Sequence, residues 1–410
     1  MADIKAFSCI RPRKGLEERI AALPYDVYSR EEAKEQIKKE PMSFLQIDRA
    51  ETGLDDSIST YDPQVYIRAH DLLWGMIERG ELIQEDKPCL YLYEQTMEGR
   101  SQTGLVACAS IDDYLNHRIK KHENTRAEKE ADRIQHVDVC NAQTGPIFLA
   151  YRRNEELQKV FYEVKKEEPL FAFVSEEGVG HRGWKISEDD RIERIIRIFQ
   201  SIDSIYIADG HHRAASAVAV GMKRRKEHPD YTGKEEFNYF LSVLFPGEEL
   251  YIMDYNRVVR DLNGCTKEAF LEKVSEKFLI EERKEAYHPE RKGSIGMYLE
   301  NQWYRLDIRP EFQSADPIGT LDVSVLQREI LEPVLGIKYP TLDKRIAFVG
   351  GIRGLAELEK RVHTDCAVAF AMYPTSIEEL YKVADAGLLM PPKSTWFEPK
   401  LRSGLFIHAL

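Results

Sequence analysis

The feature that most constrains the fold is a short apolar run that ends in polar residues and continues into an Ala/Val-rich segment. Residues 205–208 (Ile-Tyr-Ile-Ala) have the length and character of a buried strand. Residues 209–213 (Asp-Gly-His-His-Arg) follow directly, and a helix is predicted from about His212 to Glu227. A buried strand that enters a helix through a tight polar turn predicts an α/β architecture.

This turn has the composition of an anion-binding site. Backbone N–H groups at the start of a helix lack helical partners and carry the positive end of the helix dipole, which favours phosphate or carboxylate. Gly210 permits a positive φ or a close backbone approach. His211, His212 and Arg213 add donors that can carry charge. The alternative is that Asp209 merely caps the helix, but four ionisable residues at the end of a buried strand favour a site.

A metal site at His211 and His212, as in a metal-dependent hydrolase, is a weaker hypothesis. Adjacent histidines rarely face one ion, and the chain has neither HExxH nor a carboxylate at a suitable spacing. The sequence also lacks the GxSxG elbow and any CxxC pair. Serine-hydrolase, thioredoxin and zincin interpretations therefore have no support.

Composition narrows the class of protein further. The chain has 410 residues, 43% of them apolar, so it can supply two to three domains with buried cores. The net charge of −12 argues against a general nucleic-acid binder. No apolar run is long enough for a membrane span or a secretory signal, and the six cysteines are scattered. These features predict a cytoplasmic protein with free thiols in the core and no membrane partner; the oligomeric state stays open.

Local patterns predict alternating helices and strands in three segments: 1–88, 89–246 and 247–410. The first and third are predicted to be α/β. Ser29 and Glu32 form a capping-box pattern before a helix at 31–39. A second helix at 63–79 is expected to bury Ile67, Leu72, Leu73, Met76 and Ile77. Other helices are predicted at 189–200, 355–361 and 377–385. Strands are predicted at 90–96 and 103–111 as a hairpin, and at 145–151, 171–174, 240–245, 347–349, 366–371 and 404–407. Residues 390–400 are predicted to be irregular.

Two other polar segments are candidates for a site. In 121–133, helical spacing would place His122, Arg126, Lys129 and Arg133 on one side and Glu123 and Glu130 on another. Taken alone, this segment is more typical of a solvated helix with ion pairs. The loop that begins at Asn141 runs into a strand, where site residues often lie.

Near the carboxyl end, Lys393, Ser394, Thr395 and Lys400 offer ammonium and hydroxyl groups next to a double proline. They suit either oxyanion recognition or a charged surface loop. Residues 350–354 (Gly-Gly-Ile-Arg-Gly) lack the GxGxxG order and a phosphate-site lysine, so a dinucleotide site there is weakly supported.

Six motifs together resemble the family catalogued as domain of unknown function 1015, nearly from end to end. They are Tyr25-Asp-Val, Lys121-His-Glu-Asn-Thr, Asn141-Ala-Gln-Thr-Gly-Pro-Ile-Phe-Leu149, Ala208-Asp-Gly-His-His-Arg213, Tyr339-Pro-Thr-Leu-Asp343 with Phe348-Val-Gly-Gly351, and Met390-Pro-Pro-Lys-Ser-Thr395. The Asp-Gly-His-His-Arg turn with an upstream His-Glu is also similar to the ParB/sulfiredoxin-like fold, which includes free-serine kinases. The resemblance implies a core of this kind in 89–246. His211 stands where sulfiredoxins have a cysteine, so peroxiredoxin repair is not expected.

The resemblance also implies roles. Residues implied to bind nucleotide or phosphate are Gly210, His211, His212, Arg213, Lys121, Thr125, Arg126, Arg133 and Asn141. Glu123 is the implied base, His122 accompanies it, and Asp209 would assist Mg²⁺ or the transfer. The implied function is phosphoryl transfer from ADP or ATP to a small hydroxyl substrate, with free serine as the most specific candidate. The alternative is a regulatory protein that binds nucleotide or phosphate without turnover.

Overall fold

Strands and helices alternate along the computed structural model, which describes residues 2–410. The strands, in chain order, are β1 Ile4–Lys5, β2 Ile10–Pro12, β3 Leu82–Gln84, β4 Leu90–Met97, β5 Arg100–Ser110, β6 Ile119–Lys120, β7 Ala142–Gln143, β8 Ile147–Tyr151, β9 Phe171–Val174, β10 Gly180–Ile186, β11 Ile205–Asp209, β12 Tyr239–Pro246, β13 Tyr251–Met253, β14 Tyr255–Val259, β15 Phe278–Arg283, β16 Ser294–Leu299, β17 Gln302–Ile308, β18 Ile346–Gly350, β19 Val368–Ala371, β20 Trp396–Glu398 and β21 His408–Ala409.

The α-helices connect these strands and cover the sheets. They are α1 Glu17–Ile20, α2 Arg30–Lys39, α3 Leu45–Asp48, α4 Pro63–Glu78, α5 Ile111–Leu115, α6 Ala127–Cys140, α7 Glu155–Val164, α8 Asp189–Phe199, α9 His211–Glu227, α10 Lys267–Ser275, α11 Asp322–Leu326, α12 Gly354–Thr364 and α13 Ile377–Asp385. The prediction of a mixed α/β protein is confirmed. No helix within residues 2–410 is both long and apolar enough to cross a lipid bilayer.

The chain forms two compact units. Unit 1 contains the chain up to Lys121, Thr125–Leu250 and Pro399–Leu410, and unit 2 contains His122–Asn124 and Tyr251–Glu398. The three-segment division and the ParB/sulfiredoxin-like core stay predictions.

Unit 1 is built on a nine-stranded sheet with the order β6-β11-β8-β12-β5-β4-β10-β9, and β1 pairs with β5. The predicted hairpin is the antiparallel pair β4–β5. Strand β11 runs parallel to β6 and antiparallel to β8, so the chain leaves β6 and β11 at the same edge of the sheet. Apolar side chains of β5, β8, β11 and β12 form the core with α7 and α8.

Local sequence signals explain the first helices. The capping box at α2 is confirmed: Ser29 Oγ accepts from the Glu32 N–H at 3.2 Å, and the Glu32 carboxylate accepts from the Ser29 N–H at 2.8 Å. Leu73 and Met76 of α4 are buried as predicted, but Ile67 is 55% exposed. Its predicted burial was wrong because the buried stripe follows the spacing of Val65, Ala69, Leu73 and Met76, roughly opposite Ile67.

Helix α6 differs from its prediction in position and environment. It begins at Ala127, after Arg126 as the N-cap, so residues 121–126 are not helical and His122 shares no helix face with Arg133. The helix is also not a solvated one. Asp132, Arg133 and His136 are buried, and Asp132 accepts from the Tyr66 hydroxyl at 3.0 Å. Helix α6 packs against both α4 and α9, and this packing buries polar residues that its composition alone would leave exposed.

Unit 2 contains a six-stranded antiparallel sheet with the order β15-β17-β16-β19-β14-β18. Helices α12 and α13 lie where the sequence predicts them. Two predictions near the carboxyl end were wrong. Residues 390–400 contain β20, which pairs with β13, and the final strand lies at β21 rather than at 404–407. In both cases pairing with a strand distant in sequence decides the structure.

The six cysteines are free, and all except Cys265 are buried. This confirms that most of them are small core residues. Another buried polar group, His181, stacks between Tyr93 and Phe173, and its Nδ1 lies 2.8 Å from the Tyr93 hydroxyl. Burial, reinforced by the Arg402 guanidinium, lowers the pKa of His181 to about 3.

His181 predicts a pH dependence of stability. Unfolding restores an ordinary histidine pKa near 6.5, so the unfolded chain binds the extra proton between about pH 6.5 and 3, and acid destabilises the fold there. From pH 7 to pH 5 the contribution of His181 to the free energy of unfolding falls by about 2 kcal/mol. Urea unfolding at both pH values checks this. His181→Gln should flatten the dependence by that amount, and an unchanged dependence would contradict it.

Candidate functional site

The turn between β11 and α9 combines a glycine N-cap with a carboxylate held just outside the helix. Gly210 is the N-cap residue, with φ of 90°, and no side chain caps the helix. Asp209 is the last residue of β11, and its Oδ1 accepts from the Gly210 N–H at 2.7 Å. The alternative that Asp209 is simply the N-cap is therefore wrong, whereas the positive φ of Gly210 is as predicted.

The guanidinium of Arg213 lies across this glycine. A Cβ at Gly210 would lie 3.0 Å from Arg213 Nε, and a Cβ at Gly145 would lie 3.4 Å from Arg213 Nη1. Nη1 also donates to the Pro146 carbonyl at 2.6 Å. Two glycines thus leave room for the guanidinium, and a carbonyl at the start of the neighbouring strand fixes its direction.

Asp209 is paired with a lysine from the last segment of the chain. Lys400 Nζ lies 3.0 Å from Asp209 Oδ2, and the Asp209 side chain is 35% exposed. Gln95 donates to the Lys400 carbonyl at 2.9 Å, which fixes the backbone that carries this lysine. Burial alone would raise the pKa of Asp209, but Lys400, Arg213 and the Gly210 N–H hold it well below its usual range. Asp209 is therefore ionised at neutral pH.

The histidines occupy different environments. His211 is buried, whereas His212 is partly exposed and its Nε2 accepts from the Arg126 N–H at 3.0 Å. This bond occupies Nε2 of His212, which weakens the hypothesis of an ion shared by the two histidines. It also brings the N-cap of α6 beside the first turn of α9.

Further predicted residues lie at this edge of the unit 1 sheet. Lys121 directly follows β6, whose direction matches that of β11. Thr125 precedes α6, and its hydroxyl donates to the Glu130 carboxylate at 2.6 Å. Lys121, Thr125 and Arg126 thus come to the end of the sheet at which Asp209 lies.

A small cavity lies beside Arg213, with a volume of ≈ 30 Å³ that fits about two water molecules. Arg213 and Arg133 both line it, and the Arg133 guanidinium lies 4.1 Å from the centroid of the Tyr25 ring. On another wall, the Thr144 hydroxyl donates to Asp48 at 2.9 Å. Sequence reasoning missed Asp48, which no motif signals, whereas Tyr25 and Thr144 lie within motifs that carry the family resemblance.

Asn141 is not brought to this site. It is the C-cap of α6, in the left-handed region with φ of 52°. Its side-chain nitrogen donates to the Leu410 carbonyl, and its side-chain oxygen accepts from Arg224. Arg224 lies eleven residues beyond Arg213 on α9, a distance of about 16 Å along the helix. The contacts of Asn141 fasten the far end of α6 to the carboxyl terminus.

The remaining predicted residues belong to unit 2. The His122 carbonyl accepts from the Met390 N–H at 2.7 Å, and its Nε2 lies 3.3 Å from the Thr395 hydroxyl. Glu123 is next to His122 in sequence and is partly exposed. Lys393 and Ser394 adjoin Thr395, whereas Lys400, which was grouped with them, belongs to unit 1.

Comparison with known proteins identifies the family. The model of the family described as a protein of unknown function, DUF1015, matches residues 4–324, and the chain belongs to this family. No curated protein matches the chain.

Solved structures that are similar share little sequence with it. A mutant free serine kinase in complex with ADP has 14% identity and a TM-score of 0.36, with 74% of this chain and 92% of that chain covered. SbnI from Staphylococcus aureus, truncated at its C-terminus, has 11% identity and a TM-score of 0.39, with 74% and 87% covered. A conserved hypothetical protein from Pyrococcus furiosus has 14% identity and a TM-score of 0.34, with 74% and 94% covered.

Gly210→Ala should cost more stability than the matched change Gly99→Ala. Both glycines have positive φ, 90° and 78°, so both variants incur roughly 1–2 kcal/mol of backbone strain. A Cβ at residue 99 meets nothing within 4 Å, whereas one at residue 210 meets the Arg213 guanidinium. Urea unfolding of both variants measures the difference. Equal losses would show that the guanidinium does not need this space.

Proposed function

We propose that this protein transfers a phosphoryl group from ADP or ATP to a hydroxyl of a small molecule, with free serine as the most specific candidate acceptor. The observation that carries the proposal is the turn at Asp209–Arg213. There the positive end of α9 and the Arg213 guanidinium lie at Gly210, and the Lys400 ammonium lies at the adjacent Asp209. Gly210 has no side chain to block an approaching anion. Such an arrangement attracts phosphate oxygens and balances their charge.

Each residue of the turn has a defined part in this proposal. The N–H groups at the start of α9 and the Arg213 guanidinium bind the phosphates, and Gly210 allows the backbone to approach them closely. Lys400 stands 3.0 Å from Asp209, where it can exchange part of its bonding from that carboxylate to an incoming phosphate. Lys121 and Arg126 lie at the same sheet edge and supply further side-chain donors, whereas the Thr125 hydroxyl would have to exchange its bond to Glu130 for one to a phosphate. Because phosphoryl transfer depends chiefly on positioning and charge neutralisation, these groups suffice for much of the catalysis.

Magnesium fits this site in association with the nucleotide. Mg²⁺ is usually held by one or two carboxylates together with substrate phosphates, and Asp209 is an ionised carboxylate. Both of its oxygens already accept hydrogen bonds, one of them from the Lys400 ammonium. Asp209 would therefore hold the ion most readily through water, and when bound the ion would neutralise phosphate charge.

Glu123 is the proposed base for the acceptor hydroxyl, with His122 beside it in sequence. A carboxylate in this role orients the hydroxyl and accepts its proton as the new bond from the hydroxyl oxygen to phosphorus forms and the bond from phosphorus to the departing AMP or ADP breaks. The competing proposal is a regulatory protein that binds nucleotide without turnover. It is favoured by one observation: the carboxylate of the turn itself, Asp209, is already engaged by Lys400 and the Gly210 N–H.

Arg213→Ala should weaken ADP and ATP binding about 10- to 100-fold, since each hydrogen bond to a charged group contributes roughly 1.5–3 kcal/mol. Isothermal titration calorimetry with MgCl₂ present measures the change. The control is Arg197→Ala, which removes a largely exposed arginine of α8 and should leave the affinity unchanged. An absence of nucleotide binding in the unaltered protein would refute both proposals.

Glu123→Gln separates the enzyme from the regulator. The enzyme proposal predicts a loss of turnover of about 10²- to 10⁴-fold, typical of a general base, with nucleotide affinity nearly unchanged. The assay is incubation with ADP or ATP, magnesium and a panel of amino acids, with products detected by phosphorus NMR. Nucleotide binding without any phosphorylated product would favour the regulator. Full turnover in Glu123→Gln would remove this residue from the mechanism.

A further inference from the structure

Unit 2 contains a buried arginine without a carboxylate partner. Arg257 lies in β14, between β19 and the edge strand β18, and is 3% exposed. Its guanidinium donates to two carbonyl oxygens, those of Tyr255 and Lys393, and faces the Phe348 ring. Within residues 2–410, no carboxylate oxygen lies within 4.0 Å of its nitrogens, the distance that defines an ion pair.

An unbalanced buried charge of this kind requires an explanation. Buried arginines are normally paired with a carboxylate, because transfer of a charge out of water costs several kcal/mol. Burial lowers the pKa of Arg257 to about 10, so it remains charged at neutral pH. Asp254 does not compensate it, since it bonds Asn256 and His288, and residues 254 and 256 point to the sheet face opposite Arg257.

The segment that covers Arg257, residues 390–395, is here named the Lys393 loop. Its Lys393 carbonyl accepts from Arg257 at 2.9 Å. Because a trans peptide points its C=O and N–H in opposite directions, the following N–H, that of Ser394, points away from the guanidinium. This N–H has no acceptor within residues 2–410, although Ser394 is buried. The loop therefore presents a backbone donor on the side away from Arg257.

Two side chains add to this donor. Lys393 is exposed and has φ of 60°, a left-handed conformation that is rare for lysine and is often associated with functional loops. Its ammonium lies 5.5 Å from the centroid of the Tyr255 ring. The Thr395 hydroxyl lies 3.3 Å from His122 Nε2; when that nitrogen carries the proton, the hydroxyl is free to donate elsewhere.

We infer that the Lys393 loop is an oxyanion-binding site that takes a phosphate group. The Lys393 ammonium, the Ser394 N–H and the Thr395 hydroxyl bind the anion. Arg257 acts as a positioning residue: it holds the loop carbonyl and supplies a positive charge that the anion balances. The site uses none of the residues of the Asp209–Arg213 turn, and it does not depend on the phosphoryl-transfer proposal.

The stoichiometry of phosphate binding tests the inference. Equilibrium dialysis with labelled inorganic phosphate is expected to show one site that remains in Arg213→Ala; if the Asp209–Arg213 turn also binds phosphate, as the proposed function requires, the unaltered protein shows two sites. In that Arg213→Ala background, Lys393→Met should weaken the remaining site at least about tenfold, as expected when a charged donor is lost. Lys360→Met is the control, because it removes an exposed lysine of α12 in the same unit.

Two results would overturn the inference. One is an absence of phosphate binding in Arg213→Ala at up to tens of millimolar phosphate. The other is an equal affinity in the Lys393→Met and Lys360→Met variants. If only the unaltered protein binds phosphate, at a single site lost with Arg213, the Lys393 loop is not a phosphate site, whatever the outcome of the nucleotide experiments. Conversely, a lack of nucleotide binding leaves this prediction intact.

Arg257→Met tests the positioning role with a readout that structural damage does not imitate. In the Arg213→Ala background, phosphate should raise the melting temperature of the parent but not of the Arg257→Met variant, whichever of them melts higher without phosphate. Thr395→Val provides the same comparison if the Arg257 variant does not fold. Competition by acetate and by a phosphorylated amino acid then distinguishes a general oxyanion site from one selective for phosphate. A full phosphate response in the folded Arg257→Met variant would contradict the assigned role.

Discussion

The arrangement of the candidate site in unit 1 depends on the ion pair between Asp209 and Lys400. The carboxylate lies at the end of a buried strand, where burial alone would favour its protonated form. The ammonium keeps it ionised, and in doing so it ties the last twelve residues to β11. Further contacts fix the same segment, including Arg402 with Glu177 and the backbone bridge between Ile407 and Ile10. The carboxyl-terminal segment is thus a structural part of the sheet edge that carries the turn.

Sequence patterns predicted the local parts of this arrangement well. The strand 205–208, the glycine with positive φ and the following helix each depend on residues a few positions apart, whose preferences act before tertiary contacts form. The capping box at Ser29 is of the same kind. The ion pair of Lys400 was not predicted, because its partner lies 191 residues away and nothing in the sequence around either residue specifies the other. Asp48, which lines the cavity beside Arg213, was not predicted for the same reason: no local sequence signal marks it.

Residues 121–133 show how a tertiary contact can overrule a periodic pattern. The charged residues have helical spacing from His122 onward, yet the helix begins only at Ala127. Arg126 has extended backbone angles, and its N–H is bound by His212 of α9, from a segment 86 residues distant. The Arg126 N–H therefore donates to a side chain of α9 rather than to a carbonyl of the preceding turn, and residues 121–126 are not helical. Burial of Asp132 and Arg133 likewise follows from packing, which composition alone does not specify.

Arg213 in unit 1 and Arg257 in unit 2 have the same kind of hydrogen-bond partner. Each donates to backbone carbonyl oxygens, and neither has a carboxylate within 4.0 Å among residues 2–410. A carbonyl orients a guanidinium without neutralising it, whereas a carboxylate pair such as Arg402 with Glu177 removes most of its field. An arginine fixed by carbonyls therefore keeps its charge available to an anion at a defined position. This difference in partners depends on burial and on carbonyls such as that of Lys393, which lies 136 residues from Arg257, so it can be recognised only in the folded chain.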